Sequence, residues 1–302
     1  MELTGPAFVR DVRRPMSTAQ MLAGVARQSV RKRQGALAAS LPPGPMKVGQ
    51  RGLRFEPARI EAYREVCGFR AQPGLVPLTY PEMHFTALIA EAVVSHRFPL
   101  SPLGLIHTGQ RVEVHVPLKP GDEVDATTEL EEIRETPRGY ELDFSMSVER
   151  DGALAWWGLA TLLSRSAATR SGKNRRRPSE PFSKAAGFEV TVAGNTGVRY
   201  ARVSGDYNPH HLWWFTARPL GYRRPIAHGM WTFARVMSEV LHGVDEDARV
   251  VASTSFKRPL LMPSRIRIEA QSLTPEIPEV RFAAREASSG APHLLGTAAL
   301  PV

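Results

Sequence analysis

The runs Ser204-Gly205-Asp206-Tyr207-Asn208-Pro209-His210-His211 and Pro225-Ile226-Ala227-His228-Gly229 hold the densest set of reactive side chains in the chain. Glycine and proline punctuate the first run, so its carboxylate, amide and imidazole groups can project from one loop. A helical apolar pattern follows the second run, and the unpaired N–H groups at a helix start can hold a developing oxyanion. This combination is typical of proton transfer beside a carbonyl group.

A weaker copy of the same pattern occurs earlier in the chain. Tyr63 precedes Cys67-Gly68 at the spacing at which Tyr200 precedes Ser204-Gly205, and the run Pro77-Leu78-Thr79-Tyr80-Pro81 takes the place of the run that begins at Pro225. In both copies a helical pattern and then alternating strands follow. We therefore predict an internally duplicated α+β fold, in which two antiparallel sheets each wrap a central helix.

The first copy lacks the reactive groups of the second. Phe69 stands where the second copy has Asp206, and Tyr80-Pro81 replaces His228-Gly229. Only eight residues separate its glycine from its proline run, against nineteen in the second copy, where the longer interval carries the amide and the imidazoles. We expect the second copy alone to carry out chemistry.

The net charge of +9 is concentrated in two segments of the chain. Residues 1–47 hold eight Lys and Arg against two acids, and residues 164–187 hold seven against one, which leaves the remainder net acidic. We predict a basic N-terminal tail at 1–47, a first domain at 48–163, a basic linker at 164–187 and a second domain at 188–302. Charge on a tail and a linker, and not on a folded face, argues against a nucleic-acid partner.

Cysteine usage and hydropathy exclude several further classes. Cys67 is the only cysteine, which rules out an internal disulfide and a cysteine-based zinc site. No run of about 18 apolar residues is present, so we expect no membrane span. We expect a cytoplasmic protein.

The second copy resembles a known family. The run from Ser204 to His211, followed by Ala217, Gly221, Pro225-Ile226 and His228-Gly229-Met230, is similar to the signature of the MaoC-like, (R)-specific enoyl-thioester hydratases with the hot-dog fold. The first copy resembles the degenerate half of double hot-dog 3-hydroxyacyl-thioester dehydratases. The residues that carry the resemblance in the first copy are 76–81 and 104–108. For the two copies together, the resemblance to the family spans roughly residues 48–302.

This resemblance implies roles for individual residues. Residue reasoning alone leaves His210 and His211 open as the imidazole, whereas the family spacing of five after the aspartate favours His211. Two positions depart from the family pattern, since His210 is usually apolar there and Trp213 is often acidic. The implied site comprises Asp206 and His211 as the catalytic pair, Asn208 as a supporting hydrogen-bond group, the backbone N–H of Gly229 as oxyanion donor, and His228 and Met230 as substrate-binding residues.

The implied activity is reversible hydration of trans-2-enoyl thioesters, or dehydration of (R)-3-hydroxyacyl thioesters, on coenzyme A or an acyl carrier protein in fatty-acid metabolism. This implied chemistry needs neither a metal nor another cofactor. The first unit would pack on the second as a pseudo-dimer and shape the acyl site, with a homodimer of whole chains as a further option. Two alternatives stay open from the sequence: a hot-dog acyl-thioesterase, and a non-catalytic subunit that binds acyl thioesters.

Overall fold

The computed structural model describes residues 3–5, 7–31, 44–69, 74–165, 187–245 and 248–301. They fall into two compact units, and the second of these collects segments from both sequence copies. The first unit comprises Met1–Arg54, His84–Gln110 and Glu123–Arg177; the second comprises Phe55–Met83, Arg111–Asp122 and Pro178–Val302. Within the described residues, no helix is long and apolar enough to cross a membrane.

Helices and strands of the first half include the predicted helix followed by strands, and further elements that precede this helix. They are β1 (Phe8–Asp11), α1 (Thr18–Arg31), β2 (Met46–Arg54), α2 (Pro57–Cys67), α3 (Glu82–Val93), β3 (Leu105–Val114), β4 (Glu123–Thr136), β5 (Gly139–Arg150) and β6 (Ala153–Arg165).

The second half repeats this order with additional short turns after its first helix. It contains β7 (Phe188–Val192), α4 (Thr196–Ser204), α5 (Trp214–Ala217), α6 (Gly229–Val240), β8 (Val251–Phe256), β9 (Ser264–Glu269), β10 (Glu279–Glu286) and β11 (Pro292–Ala299), with 3₁₀ turns at Pro209–His211 and Arg218–Leu220.

The predicted duplication is visible in the strand order and in the helix ends. The hydrogen-bonded order is β2-β4-β5-β6-β3 in the first half and β7-β9-β10-β11-β8 in the second. Both central helices, α3 and α6, are 12 residues long. The preceding helices α2 and α4 end at Gly68 and Gly205, whose φ angles of 79° and 80° place both in the left-handed region that glycine tolerates. The two halves therefore share one topology, as the predicted duplication requires.

Each central helix buries its apolar face against its sheet. In α6, Phe233, Val236, Met237 and Val240 are fully buried, which is the i, i+3, i+4, i+7 pattern expected from the sequence. Phe233 stacks on Phe282 of β10 with ring centroids 6.1 Å apart. Each such side chain contributes about 1.5–3 kcal/mol when fully buried, so this face fixes where the start of α6 lies.

The N-terminal segment differs from the predicted tail. Strand β1 pairs parallel with β2, and Met21 and Gln28 of α1 are buried. The buried carboxylate of Glu91 accepts a hydrogen bond from the backbone N–H of Met16 and pairs with Arg10 at 3.1 Å. A buried carboxylate needs such partners, so this stretch is part of the first unit. Of the predicted linker, residues 166–186 lie outside the described residues, and the domain limits stay a prediction.

Candidate active site

The loop after α4 holds three of the predicted site residues together. Gly205 ends α4, and its N–H donates to the carbonyl of Ala201 at 2.8 Å while its left-handed φ turns the chain out of the helix. Asp206 follows immediately, and Asn208 precedes the 3₁₀ turn that carries His211. The sequence therefore brings carboxylate, amide and imidazole onto one loop, as its glycine and proline predicted.

The two carboxylate oxygens of Asp206 have different surroundings. Oδ1 accepts hydrogen bonds from the Asn208 backbone N–H at 3.1 Å and from the Asn208 side-chain amide at 2.7 Å. Oδ2 lies 4.0 Å from Nε2 of His211 and 3.7 Å from Nε2 of His228. Asn208 thus orients the carboxylate through one oxygen and leaves the other oxygen facing the two imidazoles.

His211 is buried and held in one tautomer. Its Nδ1 lies 2.7 Å from the carbonyl oxygen of Ile226, and since a carbonyl can only accept, Nδ1 carries the hydrogen. Nε2 therefore presents a lone pair toward Asp206. Burial, followed by the neighbouring His228 and His210, lowers the pKa of His211 well below its usual value, so the ring is neutral at pH 7.

The separation of 4.0 Å between Nε2 of His211 and Oδ2 of Asp206 exceeds a direct hydrogen bond. An oxygen atom of water or of a substrate hydroxyl can lie between the two and bond to both. The pair is therefore spaced to exchange protons with one shared oxygen.

The ring of the adjacent His210 does not face the carboxylate of Asp206 as closely as the ring of His211 does. Its ring lies 4.1 Å from that of His211 and 5.8 Å from that of Tyr222, and its backbone carbonyl accepts from the N–H of Ile226. Among the described residues it forms no ion pair with Asp206. Of the two imidazoles that the sequence left open, the geometry favours His211.

His228 and Met230, predicted to bind substrate, are both buried. The ring of His228 stacks on His211 with centroids 3.6 Å apart and lies 4.8 Å from that of Tyr200. Its Nε2 donates to the backbone carbonyl of Asp206 at 2.9 Å, and burial lowers its pKa to about 3. His228 therefore ties the start of α6 to the loop that carries Asp206, while its role toward substrate stays a prediction.

Gly229 begins α6, with His228 as the preceding cap residue in an extended conformation. The N–H of a first helical residue has no acceptor within its own helix. A Cβ at Gly229 would lie 3.0–3.2 Å from the ring of Phe256, closer than an ordinary contact. Glycine thus leaves the backbone approachable where the helix dipole favours negative charge.

Glu82 is a buried carboxyl group that sequence reasoning missed. It opens α3 five residues after Pro77, as Met230 follows Pro225, and only 7% of it is exposed. Burial and then the charge of Asp206 raise the pKa of Glu82 to about 8, so it is neutral at pH 7. Among the described residues no cationic side chain pairs with it. The sequence signal was an acid at the first position of a mostly apolar helix.

Replacing Glu82 by glutamine is expected to change how stability depends on pH. The folded state keeps the Glu82 proton up to about pH 8, whereas the unfolded chain loses it near 4.5, so the wild type loses stability as pH rises between these values. The loss is on the order of 5 kcal/mol at most. Urea denaturation at several pH values should show Glu82→Gln gaining relative stability up to about pH 8 and no further.

Exposed Glu279→Gln is the matched control and should show no such trend. A stability difference between Glu82→Gln and wild type that stays constant from pH 5 to 9 would contradict the assignment of Glu82 as a neutral buried acid.

Asp206, His211 and His228 also form a group whose donor atoms lie within 4.8 Å of one another, close enough for a metal ion. Each imidazole, however, commits one nitrogen to a backbone carbonyl, and in His228 this is Nε2, the nitrogen that faces Asp206. Of the three atoms in the two close pairs with Asp206, only Oδ2 of Asp206 and Nε2 of His211 are then left without a backbone partner, whereas catalytic zinc sites use three protein ligands. The donor set suits acid–base chemistry better than metal binding.

Comparison with known proteins identifies relatives of both the sequence and the fold. The family model of the MaoC like domain matches residues 175–278, which include the whole candidate site. The chain is 32% identical over 216 residues to 3-hydroxyacyl-thioester dehydratase X of Mycobacterium tuberculosis, covering 70% of this chain and 75% of that protein. It is 27% identical over 153 residues to enoyl-CoA hydratase ChsH3 of the same organism, covering 49% and 53%.

Solved structures agree with this result. The crystal structure of HtdX of Mycobacterium tuberculosis aligns with a TM-score of 0.69 and 27% identity over 83% of this chain and 98% of that one. A double hotdog protein of the same organism aligns with a TM-score of 0.53 and 12% identity over 82% and 93% of the two chains, a likeness of fold alone. The predicted double hot-dog architecture is thereby confirmed.

Proposed function

This chain belongs to the MaoC-like dehydratase family and is a hydro-lyase, and we propose that it reversibly hydrates trans-2-enoyl thioesters to (R)-3-hydroxyacyl thioesters carried by coenzyme A or an acyl carrier protein. The observation that carries this proposal is the facing pair of Oδ2 of Asp206 and Nε2 of His211, 4.0 Å apart. A hydration needs one group that takes a proton from water and a path that returns a proton to C2, and this pair can supply both.

In the proposed mechanism a water molecule bonds to both members of the pair. Nε2 of neutral His211 accepts a proton as the water oxygen bonds to C3 of the enoyl group, and the C2–C3 π electrons move toward the thioester oxygen. A proton then passes from the pair to C2, which returns the enzyme to its initial protonation state. Asn208 holds Asp206 in position during both transfers.

The negative charge that develops on the thioester oxygen needs a fixed donor. The backbone N–H of Gly229 at the start of α6 is proposed for this task, since the first N–H groups of a helix lack intrahelical acceptors. Removing a comparable donor in other enzymes costs about 3 kcal/mol in the barrier. The assignment of the (R) product rests on the family and not on the geometry.

The assay that tests this proposal follows the absorbance of a conjugated enoyl thioester, with crotonyl-CoA and longer homologues as substrates. Loss of absorbance without free thiol, with an (R)-3-hydroxy product on chiral analysis, supports the hydratase. Release of free thiol would identify a thioesterase, and absence of both across all chain lengths would favour a non-catalytic binding subunit. A predominantly (S) product would contradict the proposed stereochemistry.

Gly229→Ala is expected to lower turnover at least tenfold, because the added methyl group would crowd the N–H that donates a hydrogen bond to the thioester oxygen. The same methyl group would meet Phe256, whose ring must give by a few tenths of an ångström. Steady-state kinetics and a thermal melt of the same preparation give the two effects separately.

The double variant Gly229→Ala/Phe256→Leu relieves the packing conflict, so a restored melting temperature with persistent loss of turnover assigns the effect to catalysis. Gly194→Ala is the control, since its added carbon meets only Pro263 at 3.7 Å. Wild-type turnover in a folded Gly229→Ala protein would remove this N–H from the mechanism.

A further inference from the structure

Four large apolar side chains are exposed directly after the catalytic loop. Trp213, Trp214, Phe215 and Leu220 are 49%, 59%, 56% and 42% exposed. They belong to the interval that the first sequence copy lacks. We refer to residues 213–224 as the aromatic surface. Single exposed apolar residues are common, but four within eight positions form a patch that calls for an explanation.

The backbone of the aromatic surface is folded in a way that keeps these side chains outside. The hydroxyl of Thr216 donates a hydrogen bond to the carbonyl of Pro209 at 2.6 Å, and Ala217, the last residue of α5, is fully buried. The rings of Trp213 and Phe215 stack with centroids 5.8 Å apart and an interplanar angle of 5°. The rings of Trp213 and Phe215 thus lie against one another, and Thr216 ties their segment to the loop of His211.

The charge of the aromatic surface has a single sign. Arg218, Arg223 and Arg224 are exposed on it, and the sequence contains no Asp or Glu between Asp206 and Glu239. If a second copy of this chain docked here through the same surface, its three arginines would face these three arginines. The net charge of +9 on each whole chain would add to the repulsion. Like charges at a contact are unfavourable, so the charge favours an anionic occupant over self-association.

The area of the patch separates two kinds of anionic occupant. The four apolar side chains expose together on the order of 400–500 Å², given the size of aromatic residues. A stable protein interface needs about 800 Å² on each partner. Shallow insertion into a bilayer needs no matching partner surface, and tryptophan beside arginine is the composition typical of the lipid headgroup region.

We propose that the aromatic surface binds anionic lipid membranes. Its tryptophan and phenylalanine rings enter the boundary between headgroups and acyl chains, and its arginines contact lipid phosphates. Because Thr216 and Pro209 join this surface to the catalytic loop, binding places the loop of Asp206 and His211 beside the lipid. The inference concerns a binding surface and does not depend on the proposed reaction.

The test uses the full chain and vesicles of phosphatidylcholine, with and without phosphatidylglycerol, at physiological ionic strength. We expect wild-type protein to float with the phosphatidylglycerol vesicles and its tryptophan fluorescence to be quenched by brominated acyl chains. Trp156 and Trp231 are buried and Trp157 is half-buried, so the part of the quenching that is lost when Trp214 and Phe215 are replaced reports on the aromatic surface. The variant Trp214→Ser/Phe215→Ser should lower the vesicle partition coefficient at least about tenfold, and Arg218→Gln/Arg223→Gln should remove the preference for phosphatidylglycerol.

Leu103→Ser/Ile277→Ser, which replaces exposed apolar residues elsewhere, is the matched control and should bind like wild type. Flotation without brominated-lipid quenching would mean that the basic segments bind by charge alone, and it would overturn the proposal. The proposal also fails if Trp214→Ser/Phe215→Ser binds as well as wild type. A wild-type dimer in light scattering that this double variant dissociates would assign the surface to a second copy instead.

Discussion

Replacing Asp206 by asparagine is expected to lower the turnover of enoyl-thioester hydration by at least about a hundredfold, or ~2.7 kcal/mol in the barrier. The change keeps the shape of the side chain, and its oxygen can still accept the two hydrogen bonds from Asn208. What disappears is the charge of the oxygen that faces Nε2 of His211 at 4.0 Å. The measurement is kcat with crotonyl-CoA or a longer homologue, together with a thermal melt to show that folding is intact.

Asp151→Asn is a suitable control for this substitution. It makes the same chemical change in a turn whose side chain is 94% exposed, and asparagine tolerates the positive φ of 54° found there. We expect no change in kcat from it. If Asp206→Asn retained more than about a tenth of wild-type turnover, Asp206 would have no part in proton transfer, while the family and the fold would stand.

The local parts of the site were predictable because their determinants lie within a few residues of one another. Gly205 and Pro209 set the loop that presents Asp206, Asn208 and His211, and the apolar pattern after His228 located the start of α6. The duplication was readable for the same reason, since the capping glycines and proline runs recur at fixed spacing.

The tautomers and the stacking could not be read from the sequence, because they depend on contacts between distant segments. The hydrogen of His211 is fixed by a carbonyl 15 residues away, and that of His228 by a carbonyl 22 residues away. Glu82 was missed for the same reason. Its raised pKa comes from burial and from the charge of Asp206, a residue of the other sequence copy.

The N-terminal segment shows a different limit of prediction from sequence composition. Its basic composition predicted a tail, yet Arg10 finds the buried Glu91 and β1 adds a parallel strand beside β2. A four-residue strand carries too few positions for an alternating pattern to be recognised. Charge therefore located an excess of basic residues there but could not show which of them is paired within a fold.

The two adjacent histidines provide the sharpest test of the site, since they differ in geometry and not in chemistry. His211→Ala is expected to lower kcat by about a thousandfold, because it removes the nitrogen that accepts the proton of water. His210→Ala should change kcat by no more than about threefold. Its backbone carbonyl, which accepts from the N–H of Ile226, is kept.

A loss of activity in His211→Ala could also arise from the space left by a buried ring, so the experiment needs a readout that packing alone would not move. Added imidazole can occupy this space and supply the missing base. We expect it to restore activity in His211→Ala in proportion to its neutral form and to leave His210→Ala and Asp206→Asn unchanged. If His210→Ala were the crippling variant, or if imidazole rescued it instead, the proton acceptor would be His210, and the pairing inferred from the 4.0 Å separation would be wrong.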